Sequence, residues 1–205
     1  YVLVDLLNNS NKIIPKRLSE ELLNFNTLGL NDLWTTYHNN FSPLITYDYG
    51  MQVSFEQINI SPEQLSEKEY VKEKQIKDGY KYAVDANGNT VKDSLGNKIK
   101  IDKFKTVVCR INQFTQYKSA FVAGKVTYVD LKTKQQLKTY PISSEFIFEH
   151  LYGHSNGDKR ALDSDMITIL NNKSMPFPSD EQMIYNVSED LKERVKEIIK
   201  RQNFK

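Results

Sequence analysis

The chain has 205 residues, of which 39% are hydrophobic and 26% charged, an ordinary balance for a globular protein with a core of its own. Its 28 basic and 26 acidic residues give a net charge of +2, which argues against a dedicated nucleic-acid binder. No apolar run approaches the roughly 18 residues that a membrane-spanning helix needs. The single cysteine, Cys109, excludes an intramolecular disulfide.

The first 45 residues are predicted to be a helical segment. Pro15 suits the first position of a helix, and apolar residues follow it at spacings of four and three: Leu18, Leu22 and Phe25. This helix is expected to end near Gly29. A second, short helix is predicted from Asn31 or Asp32, carrying Leu33, Trp34 and Tyr37.

Residues 46–60 alternate between apolar and polar types, which predicts a strand. The phase of the alternation slips near Gln57, so we expect a β-bulge or a strand end there. The next four residues, Ser-Pro-Glu-Gln from Ser61, resemble a helix capping box. Two interpretations of the following stretch stay open, a charged helix over 65–78 or an exposed strand over 70–76.

The most specific feature of the sequence is an eight-residue phrase that occurs twice in succession, over 85–92 and 93–100. Each copy reads D-x-x-G-N-x-(V/I)-K, and Gly and Asn tolerate the positive φ of tight turns. We predict two successive turns in an exposed hairpin. A calcium loop is the weaker interpretation, because it needs Gly at the sixth position and Glu at the twelfth. The predicted interaction residues of this doublet are Asn87, Gly88, Asn89, Gly96 and Asn97.

Three strands, a loop and two helices are predicted after the doublet. The strands, at 104–115, 120–130 and 137–150, are joined by linkers short enough for antiparallel neighbours. The polar stretch with Gly153 and Gly157 predicts a mobile loop over 153–158. The helices are expected at 164–171 and at about 180–201. Because the last one is amphipathic and starts with a capping box at Ser179, we expect it to cover a sheet.

One stretch resembles a metal or acid–base cluster, with Glu149, His150 and His154 as its candidate ligands. Its order differs from the H-E-x-x-H of zinc proteases, and the competing interpretation is a strand end that runs into a polar loop. The chain has no nucleophile elbow, phosphate loop or dinucleotide fingerprint, so no cofactor is expected. Cys109 is predicted to be a buried core residue. Aromatic residues at strand ends or in loops are candidate partner anchors, chiefly Tyr152 and Phe177.

Three passages carry a resemblance to known proteins: Lys77-Asp-Gly-Tyr80 with the doublet that follows, Phe121-Val-Ala-Gly-Lys-Val-Thr-Tyr-Val-Asp130, and Met175-Pro-Phe-Pro-Ser179. Over the larger part of its length the chain resembles uncharacterised exported proteins, some of them lipoproteins, of Bacteroidetes-type bacteria. More loosely, the second passage is similar to sheets in envelope lipoproteins related to curli secretion and flagellar assembly. The resemblance implies a periplasmic or cell-envelope location and a membrane tether through a lipid anchor upstream of Tyr1. It supplies no catalytic residues.

Together these observations predict an α+β protein, with a helical N-terminal segment over 1–45 and an α+β domain over 46–205 that form one structural unit. We expect an antiparallel sheet of about four to six strands, covered by the C-terminal amphipathic helix and bearing a turn-rich hairpin. The predicted function is a non-enzymatic cell-envelope component that binds another envelope protein or self-assembles, without nucleic acid. The alternatives are a metal-assisted hydrolase using Glu149, His150 and His154, and a glycan-binding module using exposed Tyr residues and Trp34.

Overall fold

The computed structural model describes residues 1–8 and 35–202, apart from the side chains of residues 6–8. Within them the fold is mixed α+β, with a six-stranded sheet and two α-helices. The strands are β1 (Val2–Asn8), β2 (Tyr37–His38), β3 (Tyr49–Ile60), β4 (Gln64–Tyr82), β5 (Lys100–Asp130) and β6 (Gln136–Gly157). The helices are α1 (Ser164–Asn171) and α2 (Asp180–Arg201), with a 3-10 turn at Lys159–Ala161 before α1.

The sheet is mixed rather than antiparallel. In the order β2-β1-β3-β5-β4, with β6 also on β5, β1 runs parallel to β2 and β3, whereas β3 runs antiparallel to β5. The prediction of helix over 1–45 is therefore wrong for the described parts of that segment. Val2 and Tyr37 pair with each other across β1 and β2, and both side chains are buried. The predicted helix at 15–29, Leu33 and Trp34 lie outside the described residues.

The bulge predicted near Gln57 is confirmed. The register between β3 and β5 shifts between Phe55 and Gln57, so one extra residue of β3 is accommodated there. Gly124 of β5 lies opposite Phe55, and a Cβ atom on it would collide with the backbone carbonyl of Ser54. The glycine is needed at this point because two backbones approach too closely for a side chain.

The helix interpretation of residues 65–78 is wrong, and the strand alternative is confirmed as part of β4. The Ser-Pro-Glu-Gln run does not cap a helix. Instead, the Ser61 hydroxyl accepts a hydrogen bond from the Ser119 amide, and the Ser61 amide donates to the Ser119 carbonyl. Pairing with β5 therefore overrides the local capping signal.

Two predicted breaks in the later strands are also wrong. The linker at 116–119 lies within the continuous strand β5, because the polar side chains of Gln116 and Lys118 are buried and hydrogen-bonded. The predicted loop at 153–158 instead continues β6 as far as Gly157. Gly153 is buried there, with no room for a Cβ atom beside the Asn112 carbonyl.

Both late helices are confirmed. The Ser179 hydroxyl accepts a hydrogen bond from the Gln182 amide, so the predicted cap of α2 is present. Neither described helix is long and apolar enough to cross a membrane.

The chain divides into two compact units. Unit 1 comprises Tyr1–Gln64, Tyr117–Glu149 and Pro176–Lys205. In its core the apolar face of α2 packs with residues of β1, β3, β5 and β6, among them Met51, Phe55 and Tyr128 of the sheet. The helix contributes Met183, Ile184, Val187, Leu191, Val195 and Ile199.

Unit 2 comprises Leu65–Gln116 and His150–Met175. Its smaller core contains Cys109, which is fully buried as predicted, between Val107 and Ile111 of β5. Ala161 and Leu162 belong to the same core, and the half-buried Met166 and Leu170 of α1 pack against it.

Candidate functional site

The doublet forms two turns of the same construction. The Asp85 carboxylate accepts hydrogen bonds from the Asn87 and Asn89 amides at 2.9 and 2.8 Å. In the second copy, Asp93 accepts from the Leu95 and Asn97 amides at 2.9 and 2.8 Å. Gly88 and Gly96 occupy equivalent positions with φ of 81° and 84°, which favours glycine. The predicted pair of turns is confirmed.

A closed cycle of backbone hydrogen bonds joins the two turns. The Ala83 amide donates to the Ile99 carbonyl, Ile99 donates to Val91, and Val91 donates to Ala83, at 2.9, 3.1 and 2.9 Å respectively. Consecutive members of this set are eight residues apart, which is the length of one copy of the phrase. The cycle holds this exposed segment in one conformation.

The carboxylates of Asp85 and Asp93 accept hydrogen bonds from backbone amides, and these bonds shift the pKa of both groups. Hydrogen bonds from the backbone amides of Asn89 and Asn87 lower the pKa of Asp85, and hydrogen bonds from Asn97 and Leu95 lower that of Asp93. Because these oxygens already face N–H donors, the contacts support the turn interpretation over the calcium interpretation.

Two tyrosine–lysine pairs connect β4 with the end of the doublet. Tyr80 and Tyr82 of β4 pack edge to face with ring centroids 5.5 Å apart. The Lys100 ammonium lies 4.3 Å from the Tyr80 ring centroid, and the Lys98 ammonium lies 5.2 Å from that of Tyr82. Both distances are within the range of cation–π attraction. The hydrogen bond with Tyr82, together with the charge of Lys100, lowers the pKa of Tyr80.

We call residues 77–105 the tip: the end of β4, the two turns and the start of β5. It contains seven Lys and four Asp, so its net charge is +3, while the remaining residues sum to −1. All four carboxylates are engaged. Asp102 pairs with Lys77 at 2.6 Å, Asp78 pairs with Lys105 at 3.1 Å, and Asp85 and Asp93 accept the turn amides. The surplus positive charge therefore faces solvent.

Exposed large apolar side chains are concentrated in unit 2. Of the nineteen identified among the described residues, thirteen belong to unit 2, although it holds only 78 residues, 52 in its first segment and 26 in its second. Eight of the thirteen lie in the tip: Tyr80, Tyr82, Val84, Val91, Leu95, Ile99, Ile101 and Phe104. An exposed apolar concentration of this kind is typical of a binding surface.

The three predicted metal ligands are not brought together. Glu149 and His150 are consecutive residues of β6, so their side chains point to opposite faces of the strand. His150 and His154 are four positions apart along an extended strand, a span of about 13 Å. His150 Nε2 also lies 2.8 Å from the Lys173 carbonyl oxygen. Across residues 1–8 and 35–202, no group of three or more His, Cys, Asp or Glu could hold a metal ion.

His150 and His154 belong instead to a group of rings that we call the aromatic row: Phe114, His150, Tyr152 and His154. Phe114 and Tyr152 stack with centroids 5.1 Å apart and ring planes 17° apart, and His150 stacks on Tyr152 at 6.2 Å. Beside the row is an open groove of about 440 Å³, lined by Tyr152, Gly153, His154 and residues 170–174. The Asn172 side-chain amide fixes one wall by donating to the Leu151 carbonyl.

The remaining predicted interaction residues have different environments. Asn87, Gly88, Asn89, Gly96 and Asn97 are all exposed in the turns. Phe177 is half-buried and contacts Phe148 with ring centroids 5.8 Å apart, so part of its surface is used within unit 1.

Sequence reasoning missed Tyr80, Tyr82, Lys98 and Lys100. A signal for them exists, because Tyr-x-Tyr precedes the doublet and Lys-x-Lys ends it, and residues two apart in an extended segment lie on one face, where cross-strand contacts form. No protein-family model matches the chain, and no curated protein does.

Proposed function

We propose that the protein is a non-enzymatic cell-envelope component that binds another envelope protein through the exposed apolar side chains of unit 2. The observation that carries the proposal is the concentration of thirteen of the nineteen exposed large apolar residues in that unit. Exposed apolar surface is hydrated at a cost in free energy, and association with a partner removes it from water.

The chemistry of this surface supports binding rather than catalysis. Its most prominent members are rings and branched side chains in strands, such as Tyr80, Ile101 and Phe104, which are 50%, 46% and 59% exposed. Aromatic side chains are enriched at protein interfaces because they offer a large contact area at low conformational entropy. The envelope location rests on the resemblance of the sequence to exported Bacteroidetes proteins and lipoproteins.

The experiment compares assemblies in detergent extracts of envelopes from cells that express the full chain. Phe104→Ser with Val108→Ser removes apolar surface from unit 2, and Leu44→Ser with Leu137→Ser removes it from unit 1. All four residues are exposed, at 59%, 42%, 94% and 44%. We expect the parent protein and the unit 1 variant to migrate in an assembly larger than the monomer. The unit 2 variant should migrate alone, and an unchanged assembly would contradict the proposal.

The groove beside the aromatic row favours a second candidate, binding of a glycan such as a peptidoglycan fragment. Tyr152 and His154 supply rings, and Asn171 and Asn172 supply amides at the same groove. Rings for stacking and amides for hydroxyl groups are a suitable combination for a sugar.

Titration of the protein with soluble peptidoglycan fragments, followed by amide and ring NMR signals, tests this candidate. The candidate predicts shifts at the groove that disappear in Tyr152→Ala and persist in the unit 1 control Tyr117→Ala. An absence of shifts at millimolar fragment would exclude it.

A further inference from the structure

We propose that the tip, residues 77–105, inserts into an acidic groove of a partner protein. This inference rests on the proposed function and deepens it by naming the docking element and the chemistry of its partner. The hydrogen-bond cycle of Ala83, Val91 and Ile99 and the two Asp-bonded turns fix the backbone of the tip before any partner binds. A preformed element loses less conformational entropy on association.

The net positive charge of the tip favours a partner surface with negative charge. Its seven lysines outnumber its four aspartates, and each aspartate is occupied by a lysine or by turn amides. The Lys98 and Lys100 ammonium groups are held over tyrosine rings, so their positions are partly fixed. An acidic surface therefore complements the tip, and electrostatic attraction accelerates the encounter.

The distribution of apolar side chains distinguishes a protein groove from a membrane surface. Lys100 and Ile101 are consecutive residues of β5, so they point to opposite faces of the ribbon. Ile101 and Phe104 are also separated by an odd number of positions, and both are exposed, so apolar surface occurs on both faces. A flat lipid surface contacts one face, whereas a groove encloses two.

The test uses poly-L-glutamate as the acidic protein probe and phosphatidylglycerol vesicles as the anionic lipid probe. Two tip variants of the full chain are compared: Lys98→Glu with Lys100→Glu, and Lys81→Glu with Lys92→Glu, which leaves the tyrosine–lysine pairs intact. The control, Lys74→Glu with Lys138→Glu, makes the same change of charge at exposed positions outside the tip. Thermal unfolding of each variant verifies that it folds.

We expect salt-sensitive binding of poly-L-glutamate, weakened at least tenfold in both tip variants and less than twofold in the control. Equal weakening in the control would overturn the proposal, because the binding would then reflect net charge alone. Stronger binding to vesicles, or no binding to poly-L-glutamate, would overturn it too. If the envelope assembly depends on Phe104 and Val108 but tolerates both tip variants, only this inference fails; if Phe104 and Val108 are dispensable, the proposed function fails.

Discussion

The ammonium of Lys118 lies 2.8 Å from the carboxylate of Asp180 at the start of α2, although the lysine side chain is only 5% exposed. It also donates to the Pro178 carbonyl at 2.8 Å. A buried lysine is stable only when its charge is paired and hydrogen-bonded. Lys118 therefore links the N-terminus of α2 to the middle of β5 within unit 1.

Replacement of Lys118 by Met should lower the free energy of unfolding by about 1–3 kcal/mol, the contribution typical of hydrogen bonds to a charged group. Asp180 is largely exposed, so water can solvate its carboxylate once the lysine is lost. Denaturant unfolding measures the effect. The control, Lys125→Met, removes an ion pair with Glu56 that is about half exposed and should cost less than about 1 kcal/mol. Equal losses in the two variants would show that burial of Lys118 is unimportant.

The two turns of the doublet should loosen only in acid. The backbone hydrogen bonds lower the pKa of Asp85 and Asp93 in the folded state. Their contribution is therefore fully present above the unfolded pKa, about 3.9 for Asp, and is lost as the pH falls through the lower folded pKa. Amide hydrogen exchange at Asn89 and Asn97, corrected for its intrinsic pH dependence, should show constant protection from about pH 7 to 5 and a decrease below about pH 4. A decrease near pH 6 would contradict the assignment.

A short Gly-Ser turn in place of residues 85–100 should leave both units folded. Of the residues in this segment, only Thr90 is even half-buried, and neither hydrophobic core includes any of them. We expect the free energy of unfolding to change by less than about 1 kcal/mol, because shortening an exposed loop alters mainly its closure entropy. A large loss of stability would show that the doublet belongs to the core architecture.

Gly124 and Gly50 form a matched pair for a steric test. A Cβ atom at Gly124 would meet the Ser54 backbone, which cannot move without disrupting the β3–β5 pairing. At Gly50 the nearest contact is the Leu131 side chain at 3.2 Å, which can rotate away. Gly124→Ala should therefore cost at least about 2 kcal/mol of unfolding free energy and Gly50→Ala less than about 1 kcal/mol. The reverse order would refute the account of the bulge.

Sequence patterns correctly predict the structural elements that are determined by a few neighbouring residues. The slip of alternation at Gln57, the cap at Ser179 and the two glycine turns each depend on a few neighbouring residues, and all are present. Local signals fail for elements that depend on distant partners. Ser61 had a capping signature but pairs with Ser119, and Gly153 had a loop signature but packs against β5. No local pattern specifies such pairings.

The same distinction applies to the candidate site. The turn signature predicts the exposure of Asn87 and Asn97, whereas the lysine–tyrosine contacts of Tyr80 and Tyr82 depend on which residues after the doublet lie across from them. The metal hypothesis needs His150 and His154 close together, which a spacing of four would achieve only on a helix. Because β6 remains extended through both, that spacing places them far apart.

A photo-crosslinking scan in intact cells tests whether unit 2 contacts a partner protein. A photoreactive amino acid is placed at Ile101 and Phe104 in unit 2 and, as controls of similar or greater exposure, at Leu44 and Leu137 in unit 1. We predict a discrete adduct of one size from the two unit 2 positions and none from the controls. Crosslinking that is absent from unit 2, or equal at all four positions, would contradict partner binding through unit 2.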